Sequence, residues 1–180
     1  KGYGASKWEQ GFLVSVGIGQ GELGVSPVPM VAYTASIAMN GLYCQPHFVS
    51  KIINTANGTE EDVKFEKRRI DMPQKYYDAV KQGMYLVVNG TGTAKNIKSA
   101  EFELCGKTGT AQNSSGKNHS WFVGFAPYQD PRIAICVLGE NEGWGASFGA
   151  PVAGALMVRY LGGTGYDLNS GVKTVSGGQD

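Results

Sequence analysis

Hydrophobic positions recur every three to four residues in three segments of the chain, which is the spacing of one face of an α-helix. The first segment, residues 26–41, starts with a serine–proline pair that is typical of a helix N-terminus, and a glycine closes it. The second, residues 73–89, begins with a proline and is predicted to bury the face that carries Tyr76, Val80, Met84 and Val87. The third is residues 148–161. Residues 1–25 are glycine-rich and are predicted to be irregular.

Strands are predicted where polar and apolar positions alternate or where short apolar runs are bounded by turn residues. A hairpin is predicted around Asn57-Gly58, with strands at residues 47–54 and 62–67. Short polar links separate three further strand candidates, residues 101–112, 119–128 and 132–140. Because short links join antiparallel neighbours, these three segments are predicted to form an antiparallel meander.

These elements predict an α/β fold of the α+β kind, an antiparallel sheet flanked by helices. The 180 residues suffice for one domain or for a piece of a larger one. We expect residues 1–161 to form the folded part, and the Gly/Ser/Thr-rich residues 162–180 to form a flexible tail.

Composition removes several classes of function. The net charge is +1, so no basic surface for nucleic acid is indicated. Three cysteines without a CxxC pattern, Cys44, Cys105 and Cys136, indicate neither a zinc site nor a disulfide framework, and they are interpreted as buried thiols. No metal or cofactor is expected.

Two glycine-containing strings are similar to nucleotide-binding motifs but lack the required context. Residues 19–24 match GxGxxG, yet no strand–helix–strand unit follows and no acidic residue lies at the ribose position, so a glycine-rich turn is predicted. Residues 106–108 read GKT, but Glu101 occupies the position of the first phosphate-loop glycine. A helix should also begin directly after the lysine, whereas the pattern there is that of a strand.

The same string can be read one residue later as Lys107-Thr108-Gly109, followed by Thr110. On a strand, Lys107 would supply a positive charge, and Thr108 and Thr110 would supply hydroxyl donors for a carboxylate. Gly109 would leave room for a substrate backbone, and the N–H of Thr110 could stabilise a developing oxyanion.

Four blocks in the same order resemble the C-terminal part of the transpeptidase domain of class B penicillin-binding proteins, and most closely the cell-elongation type. The blocks are "GIGQGELGVSPVPMVAYTASIAMNG", "VVNGTGTA", "CGKTGTAQ" and "HSWFVGFAPYQDPRIAICVLGENEGWGASFGAPVAG". The resemblance implies part of the transpeptidase fold shared with β-lactamases. It also implies that Lys107 and Thr110 are catalytic, that Thr108, Gly109 and Thr110 bind substrate, and that Cys105 and Cys136 do not pair. His119 and Trp121 would belong to the wall near Lys107, with packing as their main role.

The family also uses a serine nucleophile in an S-x-x-K motif and a second serine in S-x-N, both upstream of KTG. This chain has no S-x-N, and its two S-x-x-K strings, residues 114–117 and 170–173, follow KTG in a turn and in the tail. The nucleophile is therefore expected to lie in an upstream segment, and the fragment alone is expected to be inactive.

The resemblance implies a peptidoglycan D,D-transpeptidase that acts on D-Ala-D-Ala stem peptides and is acylated by β-lactams. It further implies an inner-membrane anchor outside this chain, a periplasmic-facing domain, and glycosyltransferase and elongation-complex partners. Two alternatives share the fold, a serine β-lactamase and a non-catalytic β-lactam-sensing module. A third is a structural fragment that folds only against its missing half.

Overall fold

The computed structural model describes residues 10–20 and 24–164. Four α-helices lie in these ranges, α1 (Gln10–Gly17), α2 (Pro27–Ala38), α3 (Gln74–Asn89) and α4 (Gly149–Tyr160). The strands are β1 (Leu42–Cys44), β2 (Lys51–Ile53), β3 (Glu60–Asp62), β4 (Lys67–Arg69), β5 (Cys105–Ala111), β6 (His119–Ala126) and β7 (Ile133–Gly139). A 3₁₀ turn covers Lys95–Ile97. The predicted tail at 162–180 falls almost entirely outside the described residues.

The predicted meander is confirmed, because β5, β6 and β7 form an antiparallel sheet in that order. Its register pairs Gly109 with Trp121 and Val123 with Cys136. Side chains of directly opposed residues lie on the same face of a sheet. Lys107 and Gly109 therefore project from one face of the sheet, and Thr108 and Thr110 from the other.

Helices cover both faces of this sheet and form the mixed α/β arrangement that the pattern predicts. On one face, Phe122 packs with Ala150 and Met157 of α4. On the other, Phe125 packs with Ala38 of α2. α3 lies beside β5 and contributes to both clusters, so the sheet and the three helices share one continuous packing arrangement.

Two helix predictions require correction. Residues 10–17 form α1, although residues 1–25 were predicted to be irregular. The predicted extent of α3 is confirmed, but its buried face carries Tyr77, Met84 and Val88. Tyr76 and Val80, which were predicted to be buried, are 50% and 45% exposed. Tyr77 is held inward because its hydroxyl donates to the carbonyl oxygen of Ile70 at 3.0 Å.

The segment between α2 and α3 forms two small sheets instead of one hairpin. β2 pairs with β3 across the predicted turn at Asn57-Gly58, and β1 pairs with β4. The return strand lies at residues 60–62, so its predicted position at 62–67 was wrong. Among the described residues, the hairpin turn makes hydrogen bonds only within itself, such as that from the Gly58 N–H to the Asn54 oxygen at 2.8 Å.

All three cysteines are free, but they are not equally buried. Cys105 is fully buried, and burial raises the pKa of its thiol to about 12, with a smaller contribution from Glu103. Cys136 is half-buried, and burial also raises the pKa of its thiol. Cys44 is exposed, so the prediction of three buried thiols was wrong for this residue. β6 lies between the strands that carry Cys105 and Cys136, which agrees with the expectation that these two do not pair.

Candidate active site

The outer edge of β5 is the centre of the candidate site. Among the described residues, β5 has a neighbouring strand on one side only, which is β6. The N–H and the C=O of one strand residue point to the same edge, and successive residues alternate between the two edges. Hydrogen bonds from side chains reach the carbonyl oxygens of Leu104, Thr108 and Thr110. The even-numbered residues of this segment therefore present their backbone groups at the outer edge.

The Lys107 side chain contacts the Thr108 backbone at this edge, although the two side chains project from opposite faces of the sheet. Lys107 is exposed, and its ammonium group donates to the carbonyl oxygen of Thr108 at 2.7 Å. The Thr108 Oγ1 lies 2.8 Å from the Oγ1 of Thr93, which is in the loop after α3. A hydroxyl has one proton, so one hydroxyl of this pair keeps a proton to donate to a ligand. No phosphate-binding helix begins after Lys107, because the strand continues to Ala111.

Thr110 presents an N–H and a hydroxyl to the same region. Its N–H points to the outer edge, because its C=O does so in a hydrogen bond with Gln20. Its Oγ1 accepts a hydrogen bond from the N–H of Gly145 at 3.4 Å, so the hydroxyl proton is available to a ligand. The arrangement can bind an anion and place a backbone donor beside it.

The backbone of Gly145 lies so close to the sheet that a residue with a side chain would not fit at this position. It lies in the loop between β7 and α4, against the peptide groups of Gly109 and Trp121. A Cβ built on Gly145 would fall well inside van der Waals contact with the carbonyl oxygens of both residues, and 3.0 Å from the Gly109 nitrogen. This loop therefore supports the strand from the face opposite to Lys107.

Trp121 lies beside Gly109 on the other face. A Cβ built on Gly109 would lie 3.1 Å from the Cβ of Trp121, so the missing side chain makes room for the tryptophan. Clearance for a substrate, which the sequence suggested for Gly109, stays a prediction. His119 lies at the end of the same face, opposite Ala111.

His119 joins two loops at this end of the sheet. Its Nδ1 accepts a hydrogen bond from the Asn141 N–H at 3.1 Å, so the ring proton is on Nε2 when this bond is made. The side chain of Asn141 accepts from Asn113 Nδ2 at 2.7 Å, and the Gly143 N–H donates to the Asn118 oxygen at 2.8 Å. We call this set of contacts the loop tie. It joins the β5–β6 turn to the β7–α4 loop, and His119 takes part in it through a hydrogen bond. The packing role expected of His119 stays a prediction.

The Gln20 side chain contacts the outer edge of β5 near its C-terminal end. Its Nε2 donates to the Thr110 oxygen at 3.4 Å, and its Oε1 accepts from the Gln112 N–H at 3.4 Å. Gly19, with φ of +74°, ends α1, and its N–H donates to the Val16 oxygen while the Gln20 N–H donates to the Ser15 oxygen. This is a Schellman C-cap, for which glycine is the favoured residue. Part of the GxGxxG string is thus a turn, as predicted, but that this turn ends a helix was not predicted. Residues 21–23 lie outside the described residues.

The predicted residues Lys107–Thr110 form one continuous stretch of edge, but their catalytic and binding roles stay predictions. Three contributors were missed by sequence reasoning, namely Gln20, Thr93 and Gly145. All three lie in blocks that carry the family resemblance, Gln20 in the block that starts "GIGQG", Thr93 in "VVNGTGTA" and Gly145 in the block that starts "HSWFVGFAP". The first S-x-x-K string, residues 114–117, lies in the β5–β6 turn instead of at a helix start, and the second, residues 170–173, lies outside the described residues.

The described residues, 10–20 and 24–164, contain neither a metal-binding cluster nor a membrane-spanning helix. No three His, Cys, Asp or Glu side chains are grouped there so that they could hold a metal ion. None of the helices in these ranges has the length and apolar character that crossing a membrane requires.

Comparison with known proteins identifies the family of this chain. The family model described as "Penicillin binding protein transpeptidase domain" matches residues 1–158. Peptidoglycan D,D-transpeptidase MrdA of Haemophilus influenzae is 35% identical over 173 residues, which cover 86% of this chain and 26% of that protein. The chain therefore spans about a quarter of the length of this curated relative.

Solved structures agree with this assignment. Penicillin-binding protein 2 of Pseudomonas aeruginosa, in complex with WCK 5153, superposes with a TM-score of 0.73 at 30% identity, over 95% of this chain and 36% of that one. Penicillin-binding protein 2 of Helicobacter pylori superposes with a TM-score of 0.68 at 30% identity, over 86% of this chain and 28% of that one. The sequence match, the fold and the order of the four blocks agree, and the chain belongs to the penicillin-binding protein transpeptidase domain family, in its penicillin-binding protein 2 type.

Proposed function

We propose that this chain forms one wall of the active site of a peptidoglycan D,D-transpeptidase, and that another segment of the complete protein supplies the nucleophilic serine. The observation that carries the proposal is the outer edge of β5, where the Lys107 ammonium donates to the Thr108 oxygen and the backbone groups of Thr110 point outward. The Thr108 and Thr110 hydroxyls lie on the adjoining face of the same strand. Membership of the transpeptidase family and the relatives named D,D-transpeptidase support the same reaction.

The reaction is an acyl transfer in two steps. The serine hydroxyl attacks the carbonyl carbon of the D-Ala-D-Ala peptide bond, its proton passes to the leaving nitrogen, and the terminal D-Ala departs. An amino group of a neighbouring stem peptide then attacks the serine ester, forms the crosslinking peptide bond and releases the serine with its proton restored. Both steps build negative charge on the same carbonyl oxygen.

Each wall residue has a role in these steps. The Thr110 N–H donates to the carbonyl oxygen as its negative charge develops. The Thr108 and Thr110 hydroxyls hold the terminal carboxylate of the substrate, and Lys107 supplies a positive charge close to that carboxylate and to the serine. Gly109 provides clearance for the ligand backbone. β-Lactams, which mimic the dipeptide and carry a carboxylate, would acylate the same serine.

The surroundings of the enzyme follow from the same proposal. The substrate is a cell-wall component, so the domain faces the periplasm and is held at the inner membrane by a segment outside this chain. A glycosyltransferase and other proteins of the elongation machinery are proposed partners, in agreement with a structural relative described as part of a peptidoglycan synthase complex.

The Lys107→Ala variant of the complete protein tests the proposal. Loss of this charge should slow acylation by a fluorescent penicillin by about 100-fold, the scale of one electrostatic contact in such a site. Lys107 is exposed, so thermal unfolding should be unchanged. Lys64→Ala, which removes another exposed lysine outside the β5–β6–β7 sheet, is the matched control and should react as the unmodified protein does. Equal acylation rates in the two variants would contradict the role of Lys107.

The isolated 180-residue chain tests the location of the nucleophile. It should not be labelled covalently by the same penicillin, whereas the complete protein should be. Stable labelling of the isolated chain would show that a serine within these residues is acylated, which would overturn the division of the site between two segments.

A further inference from the structure

Gln20 interacts with β5 in the manner of a neighbouring strand. Its carboxamide has the same donor and acceptor as a peptide group, and it spans the Thr110 oxygen and the Gln112 N–H, which both point to the outer edge. A strand pairing at this position would make the same two kinds of hydrogen bond. The Gln20 side chain is thus an internal substitute for a peptide at the edge of β5.

The local fold holds this carboxamide in reach of the strand. The Schellman C-cap of α1 fixes the backbone of Gln20, whose N–H donates to the Ser15 oxygen at 2.9 Å. Both bonds of the side chain are 3.4 Å long, which is at the weak end of hydrogen-bond lengths. The carboxamide is therefore well placed at the edge and easily displaced from it.

An extended ligand that adds to β5 would require one of the groups that Gln20 occupies. Ligands that pair with an edge strand use the N–H and the C=O of the same residue together. At Thr110 the N–H serves the reacting carbonyl group in the proposed function, and the C=O accepts from Gln20. A carbonyl oxygen has two lone pairs, but the Gln20 carboxamide lies along the outer edge between Thr110 and Gln112, where a ligand that pairs with β5 would also lie. The ligand amide N–H and the carboxamide therefore compete for the same position at this C=O.

We propose that Gln20 is a specificity-determining residue, because its carboxamide competes with the amide N–H of a ligand for the Thr110 oxygen. Ligands that carry such an amide must displace the carboxamide, and ligands without one bind beside it. The inference rests on the proposed function and adds to it the residue that sets the balance between these two ligand classes. Exchange of one neutral hydrogen bond corresponds to about a 2- to 10-fold change in a rate or binding constant.

The test uses the Gln20→Met variant of the complete protein, which keeps the side-chain length and removes the carboxamide. Two probes are compared, benzylpenicillin, which has an acylamino N–H, and imipenem, which has a hydroxyethyl group in its place. The second-order acylation rate constant for benzylpenicillin, divided by that for imipenem, should rise about 2- to 10-fold in the variant. Because both rates come from one preparation, the ratio does not depend on the fraction of folded protein.

Gln74→Met, at an exposed position of α3, is the matched control and should leave the ratio unchanged. A ratio in Gln20→Met that equals the unmodified value, or falls below it, would overturn the competition while leaving the proposed function intact. Failure of both probes to acylate the unmodified protein would instead overturn the proposed function, and this inference with it.

Discussion

The contact of Gly145 with the peptide groups of β5 and β6 predicts that Gly145→Ala is strongly destabilising. The added methyl group would meet two carbonyl oxygens and the Gly109 nitrogen. These are backbone atoms, so no rotation of a side chain can relieve the overlap. Overpacking costs about 1–3 kcal/mol, and a contact with backbone belongs at the upper end. The relative that this chain matches is about four times as long, and the shift per kcal/mol falls as the unfolding unit grows, so about 3 kcal/mol should lower the melting temperature of the complete protein by less than about 6 °C.

The assay is thermal unfolding of the complete protein, followed by circular dichroism, together with acylation by a fluorescent penicillin below the melting transition. Because the methyl group would push against Gly109, acylation should also slow in the part of the population that stays folded. Gly83→Ala is the matched control, since Gly83 lies on the exposed side of α3 with open space around it and should gain up to about 1 kcal/mol. A Gly145→Ala protein that melts and reacts as the unmodified protein does would refute this account of the loop.

Three further predictions compare buried and exposed side chains. Phe122→Ala should lower the free energy of unfolding by about 3–5 kcal/mol in urea titration, because Phe122 is fully buried, whereas Phe48→Ala, at a fully exposed position, should change it by less than about 0.5 kcal/mol. A thiol reagent at pH 8 should modify exposed Cys44 and leave buried Cys105 unreacted in the folded protein. The pKa of the Cys105 thiol is about 12 in the folded state against an ordinary 9.0, so its contribution to stability is intact below pH 9 and lost as the pH rises towards 12. Cys105→Ala should therefore reduce the loss of stability between pH 8 and pH 10.5, and an unchanged loss would contradict the burial argument.

The sheet could be predicted from the sequence because its signals are local. Short polar links fix the pairing of β5, β6 and β7, and KTG is a continuous string on one of these strands. Met84 was placed correctly in the buried face of α3, but Tyr76 was chosen in place of the adjacent Tyr77. The hydrogen bond of Tyr77 to Ile70, which favours Tyr77, is a tertiary contact that the local pattern does not contain. α1 was missed because Leu13 and Val14 are 63% and 70% exposed, so its sequence carries no stripe that faces a core.

The missed parts of the site depend on contacts between distant parts of the chain. Gln20 is 90 residues from Thr110, and Gly145 is 35 residues from it. Neither position belongs to a periodic pattern that points to a strand edge. A glycine reveals a close approach only when its neighbours are known, and a glutamine acts as a substitute peptide only when an unpaired edge lies within its reach.

The loop tie distinguishes two turns that look alike in the sequence. Both Asn54–Thr59 and Asn113–Asn118 are short polar segments with a glycine, and either would be chosen as an insertion point for an affinity tag or a fluorescent reporter. The first makes its hydrogen bonds within the turn, so added residues can extend from it without loss elsewhere. The second is joined through Asn141 to the loop that carries Gly145, so added residues would loosen the support beneath Gly109. A reporter for this protein therefore belongs in the β2–β3 hairpin.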